Sequence, residues 1–216
     1  MTVDSQAEWV GLTSRFTPGW PWPTDSWGLD PMYGPDGWCR ACGTPLAPQM
    51  GHLTIQGAGF PTARVWTPNW HFDAVCITAD VAHEVRNRFS VQLRDVHKPR
   101  KGQTGVMQLL PEVSPIAWYD PADLASAVVA RHERYSGAQS GATCTACQRW
   151  RWLPILVGEA PIRPDALDAE TDVICSPEYF GDGCMSFRHV LFRTALADLL
   201  VQANPRTWSK IEIPTA

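Results

Sequence analysis

The sequence lacks the short motifs that mark several large enzyme classes. It contains no G-x-S-x-G nucleophile turn, no Walker phosphate loop, no G-x-G-x-x-G loop and no H-E-x-x-H zinc-protease helix. Its first ten residues, MTVDSQAEWV, have neither the basic start nor the apolar run of a secretory signal. It also lacks a run of roughly 20 apolar residues that could cross a bilayer. We therefore expect a cytoplasmic protein with no membrane partner.

Charge is also scarce. Only 19% of the 216 residues are charged, with 22 acidic against 18 basic side chains and a formal net charge of −4. A dedicated nucleic-acid binder normally carries a basic face, so this balance argues against that class. The apolar fraction of 44% is large enough for a proper core, and we expect one domain over residues 1–216.

What the sequence does contain is two C-x-x-C pairs. Cys39 and Cys42 lie in DGWCRACGTP, and Cys144 and Cys147 lie in TCTACQRW. Cysteine pairs in a reducing compartment more often bind metal than form disulfides, and two such pairs supply the four thiolates of a structural zinc site. Residues 39–42 and 144–147 are therefore predicted to be the two zinc knuckles of a split zinc ribbon.

The 101 residues between Cys42 and Cys144 are no obstacle to a shared site. Closing a loop of that length costs about 4 kcal/mol before constants. Structural zinc binding supplies roughly 10–16 kcal/mol in small peptides. A site of four thiolates has no open position for substrate, so the zinc would hold structure and not catalyse.

Three other interpretations of the pairs stay open at this stage. An iron ion could take the same four ligands, the pairs could be redox dithiols, or they could be unrelated. A small residue after the second cysteine relieves the tight turn of a knuckle. Gly43 meets this need in the first knuckle, whereas Gln148 stands there in the second, which predicts a less ideal turn. The remaining thiols, Cys76, Cys175 and Cys184, are expected to be ordinary buried or turn cysteines.

Periodicity predicts an α+β fold of short antiparallel strands and about three helices. The helices are expected over TADVAHEVRNRF, over DPADLASAVVARHERYSG with Asp120 as the N-cap, and from about Ser186 to Ala203. SVQLRDV and VMQLL read as paired strands, HLTIQG as a short strand, and WSKIEIP as the last strand. Residues 17–38 hold four of the 11 tryptophans and are expected to be an extended segment packed on the domain.

Two further sets of residues suggest other functions. His71 and Asp73, with His132 or His189, could form a two-histidine, one-carboxylate iron site beside a pocket lined by Trp66, Trp70 and Trp118, which would make the protein an enzyme. The run RWRW at 149–152 and the basic run KPRK at 98–101 could contact single-stranded nucleic acid. The ordinary alternatives are a hydrogen-bonded core histidine, a strand with buried tryptophans, and a solvated turn.

Taken together, CRACG, CTAC and the block from ILVGEAPIRPD to the last helix, with its YFGDG turn, resemble the bacterial double-CxxCG family. Some members of that family are immunity proteins of toxin–immunity pairs. The resemblance implies an α+β domain held by a split zinc ribbon that binds and neutralises a protein toxin without catalysis. It supplies no catalytic residues. The nucleic-acid-associated zinc ribbon and the metal-dependent enzyme remain the alternatives.

Overall fold

A computed structural model describes residues 8–14, 20–57 and 60–216, and it confirms the α+β class. The described residues form four helices: α1 (Leu29–Tyr33), α2 (Ala79–Arg88), α3 (Pro121–Ser136) and α4 (Thr194–Ala203). Short 3-10 turns occur at Ser26–Gly28 and Pro164–Leu167. The strands are β1 (Trp9–Ser14), β2 (Val65–Trp66), β3 (Val75–Ile77), β4 (Gln92–Lys98), β5 (Gly102–Leu110), β6 (Glu112–Val113), β7 (Gly141–Thr143), β8 (Trp150–Trp152), β9 (Val173–Cys175), β10 (Val190–Arg193) and β11 (Trp208–Ile211).

These strands form three sheets. The largest has the order β11-β1-β10-β9-β6, in which β6 and β9 run parallel and the other pairs are antiparallel. The second has the order β2-β3-β5-β4 and is antiparallel throughout. The third is the β7–β8 hairpin, which carries the second knuckle between its strands.

The five-stranded sheet separates two hydrophobic cores. Adjacent residues of a strand point to opposite faces, and Leu191 and Phe192 of β10 enter different cores while both stay buried. The first core lies between this sheet and the four-stranded sheet and takes in α2 and α4. The second core is closed by α3 and contains Trp118 and Phe180. Both faces of β10 are therefore covered.

The predicted helix from about Ser186 to Ala203 is wrong in its first half. Residues 190–193 are a strand, and the helix begins at Thr194. The segment is bonded to β1 on one side and to β9 on the other. Since both neighbouring strands need partners, this pairing outweighs the helical spacing of Phe192 with Leu196. The buried Leu196, Leu199 and Leu200 confirm the second half.

Other predicted elements are confirmed in position. α2 follows Thr78, the β4–β5 hairpin forms, and Asp120 caps α3 by accepting hydrogen bonds from the backbone N–H groups of Ala122 and Asp123. Tyr135, in the last turn of α3, is 90% exposed. The expected strand HLTIQG is reduced to isolated bridges at Thr54 and Ile55.

The tryptophan-rich segment is not extended throughout. Residues 20–38 contain the first 3-10 turn and α1, and residues 17–19 lie outside the described part of the chain. Asp30 provides the physical reason, because its carboxylate accepts from Ser26 Oγ at 2.7 Å and Trp38 Nε1 at 2.9 Å and pairs with Arg40 at 2.6 Å. This local network folds the segment back on itself. Within the described residues, no helix is long and apolar enough to cross a membrane.

His189 anchors β10 inside the second core and gives the fold a pH dependence. The Tyr119 hydroxyl lies 2.6 Å from Nδ1, and the Ile155 carbonyl lies 3.0 Å from Nε2. The consistent arrangement is a neutral ring that accepts from Tyr119 and donates to Ile155. Burial lowers the pKa of His189 to about 4, and its ordinary value is about 6.5. The unfolded chain therefore takes up this proton first as the pH falls.

We expect the stability contributed by His189 to be present above pH 6.5 and lost as the pH falls toward 4, by about 3 kcal/mol at most. His189→Gln should flatten this part of the profile of unfolding free energy against pH, as measured by urea denaturation. His83→Gln, on the exposed face of α2, is the control and should leave the slope unchanged. Equal slopes for wild type and His189→Gln would contradict the assignment.

Candidate metal centre

The two knuckles meet in space despite their separation in the sequence. The sulfurs of Cys39, Cys42, Cys144 and Cys147 all lie within 4.8 Å of one another. Cys39 Sγ is 3.8 Å from Cys144 Sγ, and Cys42 Sγ is 3.7 Å from Cys147 Sγ. Four sulfurs at about 2.3 Å from one zinc ion would form a tetrahedron with edges of about 3.8 Å. The group could therefore hold one metal ion.

These distances also bear on the disulfide alternative. A disulfide needs sulfurs about 2.05 Å apart, and all four cysteines are free thiols at much longer separations. A redox dithiol also needs its first cysteine at a helix start. Neither knuckle opens a helix, since residues 39–42 and 144–147 lie in turns. The geometry favours metal binding over dithiol chemistry.

The two knuckles share one backbone pattern. In the first, Cys39 N–H donates to Thr44 O and Gly43 N–H donates to Cys39 O, at 2.9 and 2.8 Å. In the second, Cys144 N–H donates to Arg149 O and Gln148 N–H donates to Cys144 O, both at 2.9 Å. The same turn therefore presents each cysteine pair, and the sulfurs of each pair point in one direction.

Gln148 adopts the conformation that glycine supplies in the first knuckle. Gly43 has φ = +73° and Gln148 has φ = +59°, both in the left-handed region that side chains disfavour. The Gln148 side chain donates from Nε2 to Thr145 O at 2.8 Å, which offsets part of the cost. The less ideal second turn predicted from sequence thus has a definite form, a strained but hydrogen-bonded glutamine.

Arg151 ties the second knuckle's hairpin to the first knuckle. Its Nη1 donates to Cys42 O at 3.0 Å and to Met185 O at 2.8 Å. The same hairpin joins the rest of the fold where Trp152 N–H donates to Tyr179 O at 2.9 Å. In the sequence, Arg151 is recognisable only as part of a basic-aromatic run, and no local motif signals this positioning role.

Thr44 and Ser186 extend the support behind Cys42. Thr44 is fully buried, and its hydroxyl lies 3.2 Å from Cys42 Sγ and 3.1 Å from Ser186 Oγ. A hydroxyl can rotate its proton to suit its neighbour. When Cys42 is a thiolate, Thr44 is placed to donate to the sulfur. Hydrogen bonds of this kind orient metal ligands and are a usual part of a thiolate site.

The electrostatic environment differs between the two knuckles. Burial raises the pKa of the Cys42 thiol to about 12. The backbone N–H groups of Cys147 and Ala146 lower the pKa of the exposed-side Cys144 thiol to about 6. A bound divalent ion deprotonates coordinating thiols outright. The buried Cys42 therefore gains most from an ion, because without one its thiol stays neutral.

The other cysteines do not form a second cluster in the described part of the chain. Cys76 lies fully buried in β3, and burial raises its thiol pKa above the ordinary range. Cys175 is buried in β9, and Cys184 is exposed beside the first knuckle. The expectation of ordinary buried or turn cysteines fits these positions.

The residues proposed for an iron site make hydrogen-bond contacts with separate partners and not with a common centre. His71 Nε2 is 2.6 Å from Trp27 O, Asp73 Oδ2 accepts from Arg188 N–H at 3.1 Å, and His132 Nε2 is 2.7 Å from Pro154 O. His189 is held in the second core. Within residues 8–14, 20–57 and 60–216 these groups do not converge, so the iron-site interpretation is wrong.

The expected tryptophan-lined pocket is also wrong. Trp66 is fully buried in the first core and Trp118 is fully buried in the second, on opposite sides of the five-stranded sheet. Trp70 stacks instead on Trp27 of the tryptophan-rich segment, with ring centroids 4.7 Å apart. The large apolar areas of Trp66 and Trp118 stabilise the two cores.

The two candidate nucleic-acid segments have mixed outcomes. In RWRW, Arg151 is engaged by the first knuckle, whereas Trp150 is 43% exposed and packs edge-on against Trp152. The expected strand is confirmed, but its first tryptophan is not buried. In KPRK, Lys98 is buried and donates to Gly57 O, and only the following residues form a solvated turn.

Comparison of the chain with family models, with curated proteins and with solved structures found no match. The resemblance to the double-CxxCG family therefore depends on the quoted motifs and on the split cysteine cluster.

Gly43 and Gln148 give a matched pair of variants. A Cβ at Gly43 would lie 2.1 Å from Cys184 O, in addition to the left-handed strain. We expect Gly43→Ala to lower the free energy of unfolding by about 3 kcal/mol. Gln148→Gly should relieve strain and stay within about 1 kcal/mol of wild type, on the stabilising side. Chemical denaturation checks both values, and an equal loss in the two variants would contradict the argument.

Metal content provides a second test. We expect about one metal ion per purified chain by elemental mass spectrometry, and Cys144→Ser should reduce it severalfold because a thiolate is lost from the cluster. Cys184→Ser is the control, since Cys184 lies near the site but outside the four-sulfur group. A metal-free wild type, or an equal loss in the control, would contradict the assignment.

Proposed function

We propose that the protein is a non-enzymatic binding protein of the immunity type, organised by one structural zinc ion and directed at a protein toxin. The observation that carries the proposal is the convergence of four cysteine sulfurs from distant parts of the chain. Four protein thiolates complete a tetrahedral shell, so no position is left for water or substrate. The chemistry of the site is therefore structural, and function has to reside in a surface.

Zinc is the ion that this donor set favours. Soft thiolates in a tetrahedral arrangement select zinc or iron, and four-cysteine zinc sites of paired C-x-x-C turns are common structural devices. Iron in the same site would give the protein a visible absorption band, and this band would change when the iron is oxidised or reduced. Zinc would show neither property. The elemental analysis described above separates the two ions.

A surface next to the second knuckle has the composition of a protein-binding site. Trp150 and Trp152 pack edge-on with centroids 5.5 Å apart, and Trp150 is 43% exposed. Together with Ala117 and Pro177 they line a shallow open depression, which we call the tryptophan surface. Tryptophan is enriched among the residues that dominate binding energy. The metal centre holds this surface in place, because β8 begins shortly after Cys147.

The overall charge suits a basic partner. A net charge of −4 would steer a positively charged toxin toward the protein by long-range attraction. Steering of this kind raises the association rate more than the affinity. The tryptophan surface would then supply the short-range contact.

The test is coexpression with the product of a neighbouring toxin-like gene in the source genome. Growth should be rescued, and the two proteins should copurify as a complex. Trp150→Ala should weaken the complex by about 2 kcal/mol or more, the value of an interface anchor. Trp22→Ala is the matched control, since Trp22 has a similar exposure of 46% in a different segment.

Two outcomes would count against the proposal. If the wild-type chain neither rescues growth nor binds the toxin, the immunity function is wrong. If Trp22→Ala weakens the complex as much as Trp150→Ala does, the tryptophan surface is the wrong contact. Both variants should keep their metal, which shows that the fold is intact.

A further inference from the structure

A cavity lies beside the first knuckle, and the functions proposed for the metal centre and the tryptophan surface do not use it. Its volume is about 420 Å³, within the range typical of small-molecule sites. Its walls come from the loop 45–49 after the first knuckle, from α1, from β4 and β5, and from the segment around Tyr179. We call it the arginine cavity.

Three arginines line this cavity against one carboxylate. Arg94, Arg149 and Arg188 all contribute to its wall, and Asp73 is the acidic residue there. Seven of the other basic side chains of the described residues are paired with carboxylates: Arg40, Arg64, Arg88, Arg131, Arg163, Arg193 and Lys210. The three arginines of the cavity have no such ion pair in the ranges that the structure describes. Three arginines that lack an ion pair therefore line one cavity, in a chain whose net charge is negative.

Each of these guanidinium groups is held in position by neutral acceptors. Arg94 donates to Gln49 O at 2.5 Å, and Arg188 donates to Ser176 O at 2.5 Å and to the Tyr179 hydroxyl at 2.6 Å. Arg149 stacks over the Tyr179 ring, 5.7 Å from its centroid. A guanidinium has five N–H donors, so these bonds leave donors on each arginine while fixing its orientation. Prepositioned donors of this kind suit the planar, bidentate binding of carboxylate or phosphate.

The rest of the cavity wall indicates what kind of molecule would fit beside the arginines. Apolar side chains line the cavity beside the charged ones, namely Met32, Leu46, Leu110, Pro111 and Val113. The side chains of Gln49 and Gln108 pair with each other at 2.9 Å on the same wall. An inorganic ion would satisfy the arginines but would leave this apolar wall without a contact. An organic anion with an apolar body would use both.

We propose that the arginine cavity binds a small organic anion whose carboxylate or phosphate group meets Arg94, Arg149 and Arg188 and whose body packs on the apolar wall. An anion would supply the counter-charge that the ion pairs of the described residues do not give these arginines. The proposal goes beyond the binding of a toxin and does not require it. Arg149 and Tyr179 line both the cavity and the tryptophan surface, whereas Arg94 lines the cavity and not that surface.

The experiment titrates the zinc-loaded, full-length protein with phenyl phosphate and with benzoate by calorimetry at low salt. Benzyl alcohol is the neutral probe of similar shape, and inorganic phosphate lacks the apolar body. Phenyl phosphate or benzoate should bind in the micromolar to millimolar range, and both benzyl alcohol and inorganic phosphate should bind at least tenfold more weakly. The stronger of the two aromatic anions identifies the head group.

Variants localise the binding. Arg149→Gln and Arg94→Gln should each weaken the binding of the preferred anion about tenfold or more. Arg86→Gln is the matched control, because Arg86 is an exposed arginine on α2 outside the cavity. Metal content and the circular dichroism spectrum show whether each variant is folded, and Arg149→Gln keeps the test valid if Arg94→Gln fails to fold.

The proposal is overturned if neither aromatic anion binds at 10 mM, or if binding is unchanged in both cavity variants, or if Arg86→Gln weakens it equally. Equal binding of benzyl alcohol would show an apolar site in place of an anion site. Growth rescue by the toxin-coexpression test with Arg94→Gln separates the two proposals, because Arg94 lines the arginine cavity and does not line the tryptophan surface. Loss of anion binding with full rescue leaves the immunity function intact.

Discussion

The convergence of four cysteine sulfurs from two distant turns, in a group that could hold one metal ion, is the constraint on which the arrangement of the two knuckles depends. The first knuckle follows the tryptophan-rich segment, and the second lies inside a separate hairpin whose own strands are only three residues long. A hairpin of that size is not stable alone in water. Its position is fixed by the cluster, by the bonds of Arg151 to the first knuckle, and by backbone hydrogen bonds of Trp152 with Tyr179 and Gly181. The cysteine cluster therefore helps to place this hairpin against the first knuckle, while β1 joins the two halves of the chain in the five-stranded sheet.

The features that could be predicted from the sequence are those set by interactions between residues close together in the chain. The spacing of the cysteines identified the four sulfurs, and capping and periodicity identified α3 through Asp120 and the second half of α4. These signals are read within a few residues, and at these positions distant strand pairing did not override them. The identification of Gln148 as a departure from glycine was equally local, and the backbone at that position has the left-handed φ that the argument required.

What the sequence did not reveal depends on partners far away in the chain. Residues 190–193 form a strand because β1 and β9 lie on either side of them. The local sequence around Phe192 gives no signal of this pairing. The same holds for Arg151, for Thr44 behind Cys42, and for the three arginines of the cavity, which come from separate elements. The prediction of a tryptophan-lined pocket was wrong for a related reason. A large ring suggests a pocket, but Trp66 and Trp118 fill two different cores.

The pairing of β1 has a consequence for biosynthesis. The two neighbours of this strand in the sheet, β10 and β11, are translated almost two hundred residues after it. Until then its buried Trp9 and Val10 have no permanent neighbours, and exposed strand edges of this sort attract other chains. The nascent polypeptide thus has a long interval in which a chaperone would be of use, and its five-stranded sheet is completed only after β10 and β11 have been made.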